Sequence, residues 1–212
     1  SFSPDGRQMA FNWNGEKRDN ADIYVKLIGE ANALRLTSHP ACDAYPAWSP
    51  DGGQIAFARF NPDSGLFLIS PLGGAERKLA NYIIHSRPSW HPDGKSILVS
   101  THYNDASPAP GGGALILVSV NDSHQPRTIL APSPGKWFRD GAISPDARWL
   151  AYAACEGPTD GRRCTILVTA ITSDVLPTGA PRVVAPSSSA TFGIAWTPDS
   201  KGLVFSNVGD DG

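Results

Sequence analysis

A Ser-Pro-Asp-Gly tetrapeptide that occurs five times, with its serine replaced in two copies and its glycine in two, constrains this fold more than any other feature. The prolines of the five copies lie 46, 42, 53 and 53 residues apart. Proline presets φ at the second position of a type I turn, aspartate suits the third, and glycine takes the left-handed fourth. Each copy is therefore predicted to be a hairpin turn of one repeated unit, with Ala147 and Ser200 strained in the last two. The copies are residues 3–6, 49–52, 91–94, 144–147 and 197–200.

Apolar runs at constant offsets flank these turns and predict the strands. A large apolar residue stands two before each proline: Phe2, Trp48, Trp90, Ile143 and Trp196. An apolar triplet follows each turn, at residues 9–11, 55–57, 97–99, 150–152 and 203–205. Third and fourth strand-like runs complete the units, at 23–25, 66–69, 115–118 and 165–168, and at 34–37, 77–79, 127–130 and 182–184. Four short antiparallel strands in about 40 to 50 residues are typical of a propeller blade. The 21 Gly and 19 Pro likewise favour short strands between turns over helices.

The segment Tyr-Pro-Ala-Trp-Ser-Pro-Asp-Gly at residues 45–52, followed by Ile-Ala-Phe at 55–57, resembles the WD40-like repeat of the TolB family. The Ala-Leu-Arg-Leu-Thr run at 33–37 resembles that repeat's outer strand. The resemblance covers essentially the whole chain and implies an all-β fold, a β-propeller of four-stranded antiparallel blades. Similar repeats occur in TolB, in prolyl-oligopeptidase-like serine peptidases, in tricorn-type proteases and in bacterial regulators. The resemblance therefore identifies a fold more sharply than a function.

The repeats divide the 212 residues into one incomplete propeller. The predicted blade ranges are 1–38 (partial), 39–81, 82–131, 132–186 and 187–212 (partial). Rings of this family resemble six- or seven-bladed propellers, so about four and a half blades imply that one to three lie outside the chain. We expect a fragment of a larger bacterial protein, prone to aggregate without its missing blades.

Composition and motifs argue against several classes of function. The net charge of −2 and the lack of a basic stretch disfavour nucleic-acid binding. No apolar run is long enough to cross a bilayer. Catalytic motifs such as Gly-x-Ser-x-Gly are absent, and the five histidines lack metal-ligand spacing. The sequence predicts no catalytic residue, no metal and no cofactor.

Two of the three cysteines bear on the cellular compartment. Cys155 and Cys164 bracket a predicted hairpin loop that would bring them within reach of a disulfide. They form either a disulfide, which would indicate an oxidising compartment, or two unpaired thiols in a variable loop. Cys42 has no evident partner. On this basis the expected location is periplasmic or extracytoplasmic, with the cytoplasm as the alternative.

The candidate binding residues lie where connections reach the inner strands of the propeller. The longer loops, including 12–21 and 101–113, fall on the face that surrounds the central channel. Aromatic and arginine side chains on such loops suit recognition. The predicted binding residues are Asp43, Tyr45, His85, Arg87, Trp137, Phe138, Arg139, Asp140 and Phe192. Alternatively, Trp137, Phe138 and Phe192 cap the core between blades, and Arg87, Arg139 and Asp140 form inter-blade ion pairs.

Two functions fit this pattern best, and a purely architectural scaffold is a third possibility. The first is a non-catalytic, TolB-like module of a bacterial envelope or regulatory protein, which binds a protein or peptide partner at the loop-rich face. The second is the substrate-gating propeller of a prolyl-oligopeptidase-like serine peptidase whose catalytic domain lies outside this chain.

Overall fold

The computed structural model describes residues 1–16, 18, 20–101, 113–121, 125–156, 164–186 and 191–207. Within these residues, 17 strands form five separate antiparallel sheets and no helix occurs. The side chains of residues 191, 192 and 207 and the segments 102–112, 157–163 and 208–212 lie outside the described part. Among the described residues, no helix is long and apolar enough to span a membrane.

Each sheet corresponds to one repeat, and we call the sheets blades 1 to 5. Blade 1 contains β1 (Gln8–Trp13), β2 (Asp22–Leu27) and β3 (Ala33–Arg35). Blade 2 contains β4 (Asp43–Trp48), β5 (Ile55–Arg59), β6 (Gly65–Ile69) and β7 (Arg77–Ala80). Blade 3 contains β8 (Ser89–Trp90), β9 (Ser96–Ser100), β10 (Leu115–Ser119) and β11 (Arg127–Leu130). Blade 4 contains β12 (Lys136–Ile143), β13 (Trp149–Glu156), β14 (Cys164–Ile171) and β15 (Pro177–Ala185), and blade 5 contains β16 (Thr191–Trp196) and β17 (Leu203–Asn207).

The blades stack face to face in chain order. Every residue of β5 and β6 is buried, because blade 2 is covered on both faces. Four apolar clusters lie between consecutive blades, and each draws residues from the two blades it joins. The first strand of each of blades 2 to 5 packs on the blade before it. The core is therefore a series of inter-blade layers, as in a propeller.

The Ser-Pro-Asp-Gly segments form the predicted hairpin turns. In blade 2, the Ser49 hydroxyl donates to Asp51 Oδ1 at 2.6 Å and accepts the Gln54 N–H at 2.9 Å. Ser3, Ser144 and Thr197 repeat the hydroxyl-to-carboxylate bond at 2.6 Å. The fourth turn residue is left-handed in all five copies, including Ala147 at φ 58° and Ser200 at φ 61°. The predicted strain at these two positions is thus confirmed.

Tryptophans two residues before the proline bind neighbouring blades together. Trp90 Nε1 donates to the Ala47 carbonyl at 3.0 Å, and Trp196 Nε1 donates to the Ala142 carbonyl at 3.0 Å. Each bond runs from the first strand of one blade to the first strand of the blade before it. These aromatic residues therefore combine apolar burial with a directional contact between blades.

The disulfide alternative is the one that the structure shows. Cys155 and Cys164 are cross-strand partners in β13 and β14, and their sulfurs are bonded. Both residues are fully buried and belong to the apolar cluster between blades 4 and 5. The disulfide is therefore part of an inter-blade core. Cys42 is exposed and free.

Candidate functional site

A bulge within the first strand repeats in three blades and sets the geometry of the site. The pairing register shifts between Ala44 and Ala47 in β4, between Arg139 and Ala142 in β12, and between Phe192 and Ile194 in β16. One residue in each bulge is left-handed: Tyr45 at φ 57°, Asp140 at φ 52° and Gly193 at φ 65°. Each stands three residues before the large apolar residue of its repeat. A bulge re-aims the side chain at its extra residue, so one position per blade is turned out of the regular pleat.

These equivalent positions meet at one cavity of about 620 Å³. Arg87 occupies the corresponding place in blade 3, three residues before Trp90. Tyr45, Arg87, Asp140 and Gly193 all line the cavity. The remaining lining residues are His85, Ser86, Arg139, Gly141, Ile194, Ala195, Val204 and Ser206. Blades 2, 3, 4 and 5 thus each contribute to a single concave surface.

A buried ion pair forms part of the wall. Arg139 Nε donates to Asp140 Oδ2 at 2.8 Å, and Asp140 is only 7% exposed. Burial raises the pKa of Asp140, whereas the charge of Arg139 and the N–H of Gly193 oppose the rise. The Arg139 guanidinium also lies over the Trp137 ring, 5.9 Å from its centroid. Asp140 and Arg139 therefore hold each other in a fixed position.

Aromatic rings form a second part of the wall. Tyr45, which is 38% exposed, meets the Phe60 ring edge-on with centroids 6.1 Å apart. Phe60 in turn meets His85 edge-on at 6.3 Å. These contacts join blade 2 to the connection that enters blade 3. Tyr45 and His85 line the cavity and add aromatic surface to the charged groups of Arg87, Arg139 and Asp140.

The structure brings five of the nine predicted binding residues together in this cavity. They are Tyr45, His85, Arg87, Arg139 and Asp140. Asp43, Trp137 and Phe138 do not line it. The backbone of Phe192 lies in the β16 bulge, and its side chain is outside the described part.

Asp43 serves blade 2 internally and is not a cavity residue. Its carboxylate accepts two hydrogen bonds from Arg59, each at 2.7 Å, and Asp43 and Arg59 are 0% and 2% exposed. Arg59 also pairs with Glu76 at 2.7 Å and lies over the Phe67 ring at 4.5 Å. Burial raises the pKa of Asp43, and the hydrogen bonds from Arg59 and Thr37 limit the rise. The group is a buried charge network that joins strands of one blade.

Trp137 and Phe138 are inter-blade core residues, as the alternative interpretation expected. Trp137 packs with the disulfide between blades 4 and 5. Phe138 packs between blades 3 and 4, where its ring meets Tyr152 edge-on at 5.8 Å. Both residues are 9% exposed.

Sequence reasoning missed Ser86 and Gly193 as cavity residues. The signal that would have found Gly193 is its place three residues before Trp196, the position that Tyr45, Arg87 and Asp140 hold in other repeats. Ser86 carries no such signal, because its role depends on burial beside Arg87. Among the described residues, no group of three or more potential metal ligands occurs.

Sequence comparison links the chain to two kinds of bacterial protein. No family model matches it. It is 27% identical to the uncharacterized peptidase YuxL of Bacillus subtilis, over 75% of this chain and 29% of YuxL. It is 39% identical to the Tol-Pal system protein TolB of Ruthia magnifica, over 28% of this chain and 15% of that protein. The matches thus span less than a third of the length of either relative.

Comparison with solved structures concerns the fold. TolB from Acinetobacter baumannii superposes on 99% of this chain with a TM-score of 0.77 and 16% identity, over 48% of its own length. A putative TolB from Agrobacterium tumefaciens gives 0.71 and 19% identity, over 98% of this chain and 73% of its own. Prolyl oligopeptidase B from Galerina marginata gives 0.60 and 15%, over 92% of this chain and 32% of its own. The predicted TolB-like β-propeller of four-stranded antiparallel blades is confirmed.

Proposed function

We propose that this TolB-like propeller is a non-catalytic binding module whose cavity receives a segment of a protein or peptide partner. The observation that carries the proposal is the convergence on one cavity of equivalent positions from four blades, three of which lie in bulges. A cavity of about 620 Å³ is in the range of sites that hold small ligands or a few side chains.

The contrast between shared and varied residues supports this proposal. The five repeats share the proline and aspartate of the turn, which shape the hairpins. At the position three residues before the large apolar residue, the blades carry Tyr45, Arg87, Asp140 and Gly193, which differ in charge and size. A position that only shaped the backbone would favour glycine or asparagine throughout. The variety at this position suits a surface that recognises an asymmetric partner.

We also propose an extracytoplasmic location. The buried disulfide between Cys155 and Cys164 supports it, because disulfides persist in oxidising compartments. The test is to alkylate free thiols in whole cells and to analyse the non-reduced protein by mass spectrometry. If both cysteines are found alkylated, this location is contradicted. We further propose that chain outside these 212 residues supplies the remaining blades of the ring.

A peptide selection tests the binding function. Random octapeptides displayed on phage are selected against the full chain, and the affinities of the selected peptides are then measured. We expect Tyr45→Ala and Arg87→Ala to weaken these peptides about tenfold or more, since buried anchors dominate recognition. Arg182→Ala, on the exposed outer strand β15, is the matched control and should leave binding unchanged. The proposal would be refuted if no peptide were selected, or if Arg182→Ala weakened peptide affinity as much as Tyr45→Ala and Arg87→Ala.

The alternative function is the gating propeller of a serine peptidase. The identity to YuxL over 75% of this chain favours it, as do the prolyl oligopeptidase propellers. In that case the cavity would face a catalytic domain carried elsewhere in the protein. Hydrolysis of proline-containing peptides by the full-length protein, abolished by a serine-directed fluorophosphonate, would establish this alternative.

A further inference from the structure

Ser86 presents a buried hydroxyl that has no partner within the described residues. Its side chain lines the cavity, the residue is 3% exposed, and its Oγ makes no hydrogen bond there. Buried polar atoms in native proteins nearly always have a partner, since an unsatisfied one costs about 1–3 kcal/mol. The hydroxyl is therefore placed to bond with a group that enters the cavity.

Arg87 follows directly in the chain and lines the same cavity. Its side chain is exposed and makes no ion pair or hydrogen bond in the described part of the protein, although its charge also acts on Asp140 and opposes the rise that burial causes in the pKa of that carboxyl group. Its backbone position is fixed by two buried neighbours, Ser86 and Pro88. A guanidinium held at a cavity wall beside a hydroxyl donor is suited to an oxygen anion.

The charge balance of the wall indicates which anion fits. Arg139 is already paired with Asp140 at 2.8 Å. With His85 neutral, Arg87, Arg139 and Asp140 leave the cavity with a net charge of about +1. A monoanion neutralises this charge, whereas a phosphate dianion would leave an excess negative charge near the carboxylate of Asp140. A carboxylate also matches the planar donor geometry of arginine.

We propose that the cavity anchors its partner through a carboxylate, which accepts hydrogen bonds from the Arg87 guanidinium and the Ser86 hydroxyl. The carboxylate belongs to a peptide and is either its C terminus or an Asp or Glu side chain. The inference rests on the proposed peptide-binding function and adds the chemistry of the anchoring group.

Two octapeptide libraries distinguish the sources, with binding to the full chain measured at pH 8, where an ordinary histidine is neutral. One library has free C-terminal carboxylates, and the other is tethered through a C-terminal amide. Enrichment from the free library alone indicates a C-terminal carboxylate, and enrichment of Asp or Glu in both indicates a side chain. Binding without preference for either kind of carboxylate overturns this inference but leaves the peptide-binding function intact. Absence of binding from both libraries refutes the function itself.

Variants at the two anchoring residues provide the second test. We expect Arg87→Gln to weaken a selected carboxylate peptide about 10- to 100-fold, and Arg87→Lys to recover only part of the loss. Ser86→Ala should weaken it about 5- to 10-fold while leaving the melting temperature unchanged or higher, because the variant removes an unsatisfied buried group. Arg182→Gln is the control. A lower melting temperature for Ser86→Ala with unchanged affinity would show that Ser86 is structural and would overturn its role.

Substitution of Gly193, which lines the cavity, can place a competing carboxylate inside the site. A Cβ added at Gly193 meets no described atom within 4 Å, and Asn and Asp tolerate its left-handed φ of 65°. Gly193→Asp adds a carboxylate that competes for the same donors, whereas Gly193→Asn is the uncharged match. We expect the aspartate variant to bind carboxylate peptides at least fivefold more weakly than the asparagine variant. Equal affinity of the two variants would contradict a carboxylate anchor.

Discussion

Aspartate in the hairpin turn acts through its charge as well as its shape. In blade 2, Asp51 accepts hydrogen bonds from the Ser49 hydroxyl and from the Gly53 N–H. These bonds lower the pKa of Asp51, with the hydroxyl bond as the first cause. In blade 3, Nδ1 of His91 lies 2.8 Å from Asp93 Oδ1 in place of the hydroxyl. The first residue of the tetrapeptide is therefore the partner that orients the carboxylate.

Acidification should weaken the fold through these turns. A carboxyl group whose pKa is lower in the folded state stabilises the fold above its unfolded pKa of about 3.9. That stabilisation is lost as the pH falls through the folded value. Asp51→Asn keeps the acceptor oxygen but removes the charge, so its melting temperature should lie below that of the wild type at pH 7 and approach it at pH 3. Thermal unfolding followed by circular dichroism at both pH values measures the difference.

Asp174→Asn, in an exposed turn, serves as the control for this titration. We expect its melting temperature to stay close to that of the wild type across the pH range. A constant offset between Asp51→Asn and the wild type from pH 7 to pH 3 would contradict the role of the charge.

At the scale of the strands, spacing alone predicts far more of the fold than of the site. The distance from the Ser-Pro-Asp-Gly turn to each apolar triplet fixes the hairpin length, so a strand appears at all five triplets, whereas Phe2 of the partial first blade forms only an isolated bridge with Met9. Asp43 shows why the site is harder to predict. Its partner Arg59 lies 16 positions away in the sequence, and Glu76, which pairs with Arg59, lies 33 positions away, so only the sheet register brings the three together. Arg87 and Arg139, by contrast, were identified because they stand shortly before the large apolar residue of their repeats, Trp90 and Ile143.

The network around Asp43 should contribute to stability and not to binding. Arg59→Met leaves the Asp43 carboxylate buried without its partner, and loss of one member of a buried pair costs about 3–5 kcal/mol. The double variant Asp43→Asn/Arg59→Met removes both charges and should recover part of this loss. Urea unfolding gives the free energies of unfolding of the three proteins. The peptide affinity of the folded double variant should match that of the wild type. A tenfold loss of affinity would show that the Asp43 network contributes to binding.

At the scale of the whole molecule, the interface between blades 4 and 5 contains the disulfide and also contacts the wall of the candidate site. Trp137 packs with the disulfide on one side, and the guanidinium of Arg139 lies over its ring on the other. Ile194 contacts this core and also lines the cavity. Blade 5 thus meets blade 4 through the disulfide core and the cavity wall at once.

Removal of the disulfide should therefore affect both stability and binding. The bond closes a loop with a sequence separation of 9, which corresponds to about 2.5–3 kcal/mol in the chain-entropy model. For a domain of this size, the double variant Cys155→Ala/Cys164→Ala should melt about 5–10 °C lower. Peptide affinity should fall as well, because Ile194 and Arg139 lose their fixed support. Cys42→Ala, at the exposed free cysteine, should change neither quantity. An unchanged melting temperature, together with two titratable thiols at these positions in the non-reduced wild type, would show that the blades associate without this bond.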